Sequence, residues 1–188
     1  MGTPLTRLYK QVAAEPSDIQ GHLPRMVDLV AKLNAQAVIE LGVRYGTSTV
    51  AWLYGLAATG GHLWSVDIVR QHRPIDVDHW TFVEGDDTDP AVLAQLPATV
   101  DIVFVDTNHR YEHTRREIEL YAPRVRRGGA LVFHDTDVEV FPDDHEPGSE
   151  PPWPVRRAVD EFVATSPRVT DVEEHHDFHG LTIVRLGG

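Results

Sequence analysis

The sequence predicts a doubly wound α/β sheet, mostly parallel and closed by an antiparallel hairpin. Three observations predict it. Apolar runs of strand length alternate with segments of helical apolar spacing along most of the chain. One such run passes through a glycine turn straight into a helix, at Val38-Ile39-Glu40-Leu41-Gly42-Val43-Arg44-Tyr45-Gly46-Thr47-Ser48. The last two runs, residues 168–173 and 180–186, are joined by a short polar link, as in a hairpin.

Residues 3–14 are expected to form a short helix with Leu5, Leu8, Tyr9 and Val12 on one face, ended by Pro16. Ser17-Asp18 then caps a second helix through Leu33, with Ile19, Leu23, Met26, Val27 and Val30 apolar. Pro24 fits that helix only in an early turn. These N-terminal helices, within residues 1–34, either lie over a ligand pocket or pack on the sheet edge. The first strand, residues 35–41, is apolar, too short for a helix and bounded by glycine. Gly42 and Gly46 lack Cβ, so backbone there can approach a ligand closely and adopt positive φ. Thr47 or Ser48 caps the helix at 47–58, whose free N–H groups face the ligand-binding end of the sheet.

Gly60-Gly61 leads into the second strand, 62–67, ending at Asp67. Residues 71–79 read as a loop with a short helix, and 80–84 as the third strand, followed by Gly85-Asp86-Asp87. A short helix at 90–96 precedes the fourth strand, 100–106. A long helix is expected at 111–125, then Gly128-Gly129 and the fifth strand, 130–134, ending in Asp135-Thr136. A helix at 155–164 and the hairpin complete a single domain spanning 1–188, without internal repeats.

Composition narrows the function. With 188 residues, 41% apolar and 24% charged, the chain has the make-up of one globular domain. It has no cysteine, which excludes thiolate chemistry, disulfides and cysteine zinc sites. The net charge is −12, from 17 basic and 29 acidic residues, so a nucleic-acid partner is not expected. The basic cluster Arg124, Arg126 and Arg127 falls at an expected helix end, where cations suit the dipole. No apolar run reaches membrane-span length and residues 1–10 lack a signal pattern, so a cytoplasmic protein with no membrane partner is expected. The 11 histidines supply candidate bases. Small size and apolar N-terminal helices make a homodimer the expected assembly.

The glycine spacing G-x-x-x-G differs from the dinucleotide G-x-G-x-x-G, and Glu40 at the strand end suits a cationic group better than a pyrophosphate. Asp67 falls about 25 positions after Gly42, where an acid accepts ribose hydroxyls in nucleotide-type folds. Asp106 and Asp135 end strands that sit side by side in this topology, so their carboxylates face one another near His134. Such a set can gather Mg²⁺, or Mn²⁺ next. Capping of the helices that follow is the alternative use of these acids.

The glycine turn resembles the first motif of class I S-adenosylmethionine (SAM) methyltransferases, E/D-x-G-x-x-x-G. Val105-Asp106-Thr107-Asn108-His109-Arg110-Tyr111-Glu112 resembles the I-D-G-x-H-x-Y-E segment of a metal-dependent sugar O-methyltransferase subgroup. Gly128-Gly129-Ala130-Leu131-Val132-Phe133-His134-Asp135-Thr136 resembles its G-G-x-x-x-x-H/D-D. That subgroup contains the macrocin and mycinamicin type enzymes and their "cephalosporin hydroxylase"-like relatives. The likeness runs from Asp18 to Val163, and Asp18-Ile19 with His22-Leu23-Pro24 also fits.

The resemblance implies a Rossmann-like seven-stranded sheet and SAM as cofactor. It assigns Glu40, Gly42, Tyr45, Gly46, Thr47, Ser48 and Asp67 to SAM, with Asp86, or Asp87 beside it, at the adenine amino group. It makes Asp106, His134 and Asp135 ligands of Mg²⁺ or Mn²⁺, and it makes His109 the base that works beside Asp106. Thr107 departs from the family glycine, and His134 stands where an acid is common. The loop at 137–154, with Trp153 and Phe141 among six acids and no lysine or arginine, is expected to choose a small-molecule or oligosaccharide acceptor. The alternatives are a catechol or phenol methyltransferase, which would carry lysine at position 109, and a non-catalytic SAM-binding protein. An NAD oxidoreductase is disfavoured by the glycine spacing.

Overall fold

The computed structural model describes residues 3–139 and 152–188. Its strands are β1 (Ala37–Leu41), β2 (His62–Asp67), β3 (Trp80–Glu84), β4 (Val100–Val105), β5 (Val125–His134), β6 (Val169–His175) and β7 (Leu181–Leu186). They form one seven-stranded sheet in the order β3-β2-β1-β4-β5-β7-β6. The first five strands run parallel, and β7 is antiparallel to both β5 and β6. The chain winds outward from β1 to β3 and then returns to place β4 against β1. That reversal opens a crevice at the carboxyl ends of β1 and β4.

Side chains alternate along each strand and so feed two cores. Val38, Ile102, Phe104 and Val132 pack against α1 (Pro4–Val12), α2 (Leu23–Leu33) and α3 (Thr47–Thr59). Ile39, Val103, Leu131 and Phe133 pack against α4 (Pro90–Leu93), α5 (Tyr111–Tyr121) and α6 (Pro154–Thr165). α3 lies between the sheet and the two N-terminal helices, which is why Trp52, Leu53 and Leu56 are all fully buried. Edge strand β6 is mostly exposed and carries Asp171, Glu173 and Glu174, charges that discourage pairing with another chain. Among the described residues no helix is long and apolar enough to cross a membrane.

Proline and glycine account for the main departures from expectation. α2 begins at Leu23, not after Ser17-Asp18, because Pro24 has no N–H and is accommodated in the first turn. A 3₁₀ turn at Gln20–His22 fills the gap, and Asp18 lies 3.6 Å from Arg44 instead of capping. No helix forms within 71–79, where Pro74 holds the preceding residue extended. The expected long helix breaks at Pro123: α5 stops at Tyr121 and a 3₁₀ turn, Ala122–Arg124, leads into β5. β5 therefore starts at Val125, and the arginine cluster does not serve one helix end. Arg124 donates to the carbonyls of Leu93, Leu96 and Pro97 beyond α4, while Arg126 pairs with Asp101. α3 is capped by Gly46 in a left-handed conformation (φ 80°), with no hydroxyl cap from Thr47 or Ser48.

Candidate active site

A cleft of about 830 Å³ opens at the β1–β4 crevice. Of the residues singled out in the sequence, Gly42, Tyr45, Thr47, Ser48, Asp67, Asp86, Asp106, His109 and Asp135 line it. Pro16 to Ile19 line it too, so the segment between α1 and α2 lies over the pocket. Gly46, Glu40 and His134 are not among the lining residues.

The glycine turn is built as much for its neighbours as for a ligand. Gly42 has φ 84°, and a Cβ there would fall 1.8 Å from the Asp106 carbonyl oxygen. Asp106 N–H donates to the Leu41 carbonyl at 2.9 Å, so glycine at 42 lets the turns after β1 and β4 touch and thereby sets the position of Asp106. Asp67 Oδ2 accepts the N–H groups of Val43 (2.8 Å) and Arg44 (2.9 Å), and its Oδ1 accepts Val69 N–H at 3.0 Å. The expected ribose acceptor thus also fixes the glycine turn. Asp86 is exposed and accepts both the N–H and the hydroxyl of Thr88, bonds that lower its pKa.

Glu40, which the resemblance assigns to the cofactor, does not line the cleft. It is fully buried beneath the turn and accepts hydroxyls from Ser48 (2.7 Å), Thr49 (2.8 Å) and Ser65 (2.6 Å). Burial raises its pKa to about 7 despite those three donors. The alternation that sends Ile39 to one face sends Glu40 to the other, under α3, where only hydroxyls reach it.

Across the crevice the acids keep different company. His109 Nε2 is 2.9 Å from Asp135 Oδ2 and 3.3 Å from Asp106 Oδ1. His134 Nδ1 is 3.1 Å from Asp135 Oδ2 and 3.4 Å from Asp106 Oδ1. The other His134 nitrogen, Nε2, donates to the Phe178 carbonyl at 3.1 Å. A carbonyl only accepts, so this bond keeps a proton on Nε2 and turns Nδ1 towards the carboxylates. His179 Nδ1 adds a contact to Asp135 Oδ1 at 3.1 Å. His109 (φ 57°) and Asp135 (φ 58°) both hold left-handed backbone, a cost of about 1 kcal/mol or more each that the surrounding turns sustain.

Burial pushes Asp106 and Asp135 upward, but the imidazoles outweigh it and hold both below the usual carboxylate range. Burial would lower His109, yet the hydrogen bonds and charges of the two carboxylates raise it to about 10. Two carboxylates and an imidazole nitrogen within 4.8 Å of one another form a donor set that fits a divalent cation.

Sequence reasoning missed a second group, Asp87 with His113 and Glu117, of which only Asp87 had been considered. Its signal was present: His113 and Glu117 are four apart on a helix and so share a face. Burial and the nearby Asp87 charge raise the Glu117 carboxyl well above its ordinary value. Thr107 donates to Glu117 Oε1 at 2.8 Å, a use for the hydroxyl where the resembling family has glycine. The expected acceptor loop falls largely on residues 140–151, including Phe141, which lie outside the described residues. Trp153, at the start of α6, is partly exposed.

Comparison with known proteins follows this geometry. Residues 39–136 match the model of a family described as a methyltransferase domain. A rhamnosyl O-methyltransferase of Mycobacterium bovis is 26% identical over 127 residues, covering 61% of this chain and 51% of that protein. A demethylmacrocin O-methyltransferase of Streptomyces fradiae is 38% identical over 74 residues, covering 36% of this chain and 19% of that protein. The chain therefore spans about half the length of the first relative or less of the second. Among solved structures, a putative caffeoyl-CoA O-methyltransferase from Staphylococcus aureus superposes with TM-score 0.71 at 14% identity, covering 99% of this chain and 93% of that one. A methyltransferase of the mycinamycin biosynthetic pathway, in complex with Mg, SAH and mycinamycin VI, gives TM-score 0.72 at 18% identity, covering 98% of this chain and 55% of that one.

Proposed function

Because the chain belongs to the methyltransferase domain family, we propose that it is a SAM-dependent O-methyltransferase acting on a hydroxyl of a saccharide or glycosylated metabolite. The observation that carries the reading is the convergence of Asp106, His109, His134 and Asp135 at the cleft, across the crevice from the glycine turn. The names of the rhamnosyl and demethylmacrocin relatives support a sugar-bearing acceptor, and the Mg in the mycinamycin-pathway structure supports a cation.

In this reading Gly42, Tyr45, Thr47 and Ser48 line the cofactor side and Asp67 and Asp86 face its nucleoside end. Asp106, Asp135 and His134 Nδ1 would hold the divalent cation. SAM supplies the methyl group, and the cation supplies positive charge that favours an ionised acceptor hydroxyl. His109 takes the hydroxyl proton. With Asp106 and Asp135 unneutralised, His109 keeps its own proton up to about pH 10 and is no base at neutral pH. Neutralising those carboxylates removes the charge that raises it, so cation and base belong to one device. Glu40 supports the turn from below, through Ser48, rather than touching the cofactor. Trp153 lines a separate hollow with Asp137 and Arg156 rather than this cleft, and there it offers an apolar face for an outer part of a sugar acceptor.

The test is methyl transfer from SAM to a panel of rhamnosides, mannosides and catechols, read by product mass. Transfer to a glycoside hydroxyl is the expected result. Transfer to catechols alone would replace the acceptor assignment, and no SAM binding by calorimetry would remove the activity assignment.

A further inference from the structure

The turn after β3 leans on α5 and brings three ionisable side chains together at the cleft wall. Asp87 is buried, and His113 and Glu117 face it from successive turns of α5. His113 Nε2 is 3.1 Å from Asp87 Oδ1 and 3.6 Å from Glu117 Oε1. Tyr121 spends its hydroxyl on the Asp87 carbonyl (2.7 Å), not on the carboxylate. Glu117 is fully buried; Thr107 serves its Oε1, while Oε2 receives no hydroxyl or N–H among the described residues and the carboxyl lies against that of Asp87. Asp87 Oδ1 likewise accepts no well-directed hydrogen bond.

Two carboxylates in a buried space repel unless a proton or a cation sits between them. One imidazolium would still leave a negative charge over. One imidazole nitrogen and two carboxylate oxygens, all within 4.8 Å, are the same donor types as at Asp106, His134 and Asp135 and suit a divalent cation such as Zn²⁺ or Mn²⁺ with further positions open. Asp87 and His113 line the cleft, so those open positions face the cavity.

We propose that Asp87, His113 and Glu117 form a second divalent-cation site, open to Zn²⁺ or Mn²⁺, separate from Asp106, His134 and Asp135. It ties the β3 turn to α5 and cancels the two carboxylate charges on the cleft wall beside Asp86. The inference does not depend on the proposed reaction.

The test uses the whole chain, stripped with chelator and titrated with Co²⁺, whose visible absorption reports nitrogen and oxygen ligation, with Zn²⁺ competition followed by calorimetry. Three proteins are compared: wild type, Asp106→Asn/Asp135→Asn, and that variant with His113→Asn added. The expected result is about one equivalent of Zn²⁺ in Asp106→Asn/Asp135→Asn, weakened about 100-fold or more by His113→Asn. His113 is partly exposed, and asparagine keeps an N–H donor towards Asp87, so the carboxylate is not left facing a hydrocarbon. If Asp106→Asn/Asp135→Asn does not fold, the same answer comes from stoichiometry, expected to fall by one equivalent between wild type and His113→Asn alone. Binding that His113→Asn leaves unchanged, or no Zn²⁺ bound to the Asp106→Asn/Asp135→Asn protein, would overturn the proposal in favour of a shared proton.

Discussion

Glu40 on β1 and Asp135 after β5 both stand at the carboxyl ends of parallel strands that flank β4, and they have opposite fates. Glu40 meets three hydroxyls, which satisfy its oxygens and seal it from the cleft. Asp135 meets His109 and His134, which hold it ionised at the cavity wall, and His179 adds a further contact. An acid at a strand end is thus one sequence signature with two outcomes. Hydroxyl donors turn it into support for a turn. Imidazoles, which can release their protons, keep it available for a cation or a substrate.

The strongest way to break this contrast is to remove the base from the open half. His109→Ala is expected to lower kcat by about 100- to 10,000-fold while leaving SAM affinity within a few-fold, read by steady-state kinetics and calorimetry. An equal loss of SAM affinity would show that His109 shapes the pocket instead. Asp135→Asn, which keeps the shape and removes the charge, is expected to weaken Mg²⁺ binding and activity by about 100-fold. Wild-type cation affinity in that variant would move the cation elsewhere.

The closed half answers in stability rather than rate. The folded pKa of Glu40, about 7, lies above its ordinary value of 4.5. The folded protein therefore binds the extra proton between those values, and the contribution present below pH 4.5 is lost as pH rises through about 7. The loss is about 3 kcal/mol by linkage. Glu40→Gln, which cannot ionise, is expected to flatten that part of the stability profile in denaturant unfolding at successive pH values. Superimposable profiles would show that the hydroxyls keep Glu40 ionised. Between the halves, Asp67→Ala removes the acceptor of the Val43 and Arg44 N–H groups and is expected to cost about 1 kcal/mol of stability and about tenfold in SAM affinity.

The same contrast explains what the sequence could reveal. The fold was legible because apolar alternation and glycine turns are local signals, and each of the seven strands left one. Asp106, His109 and Asp135 were legible because they lie within two short segments at adjacent strand ends. The fate of Glu40 was not, because Ser65 and Thr49 become its partners only once β2 and α3 have packed. The group at Asp87, His113 and Glu117 joins a turn to a helix that has its own sequence register. The true starts of α2 and β5 follow from Pro24 and Pro123, whose missing N–H groups outweigh an otherwise helical pattern.

The most direct measurement is methyl transfer from SAM to an accepted glycoside in a single turnover, with the protein stripped by chelator and then given Mg²⁺. Transfer is expected to be lost in chelator and restored by Mg²⁺, with Asp135→Asn unresponsive. Transfer that proceeds undiminished in chelator would contradict that expectation and would leave Asp106 and Asp135 as partners of their histidines alone.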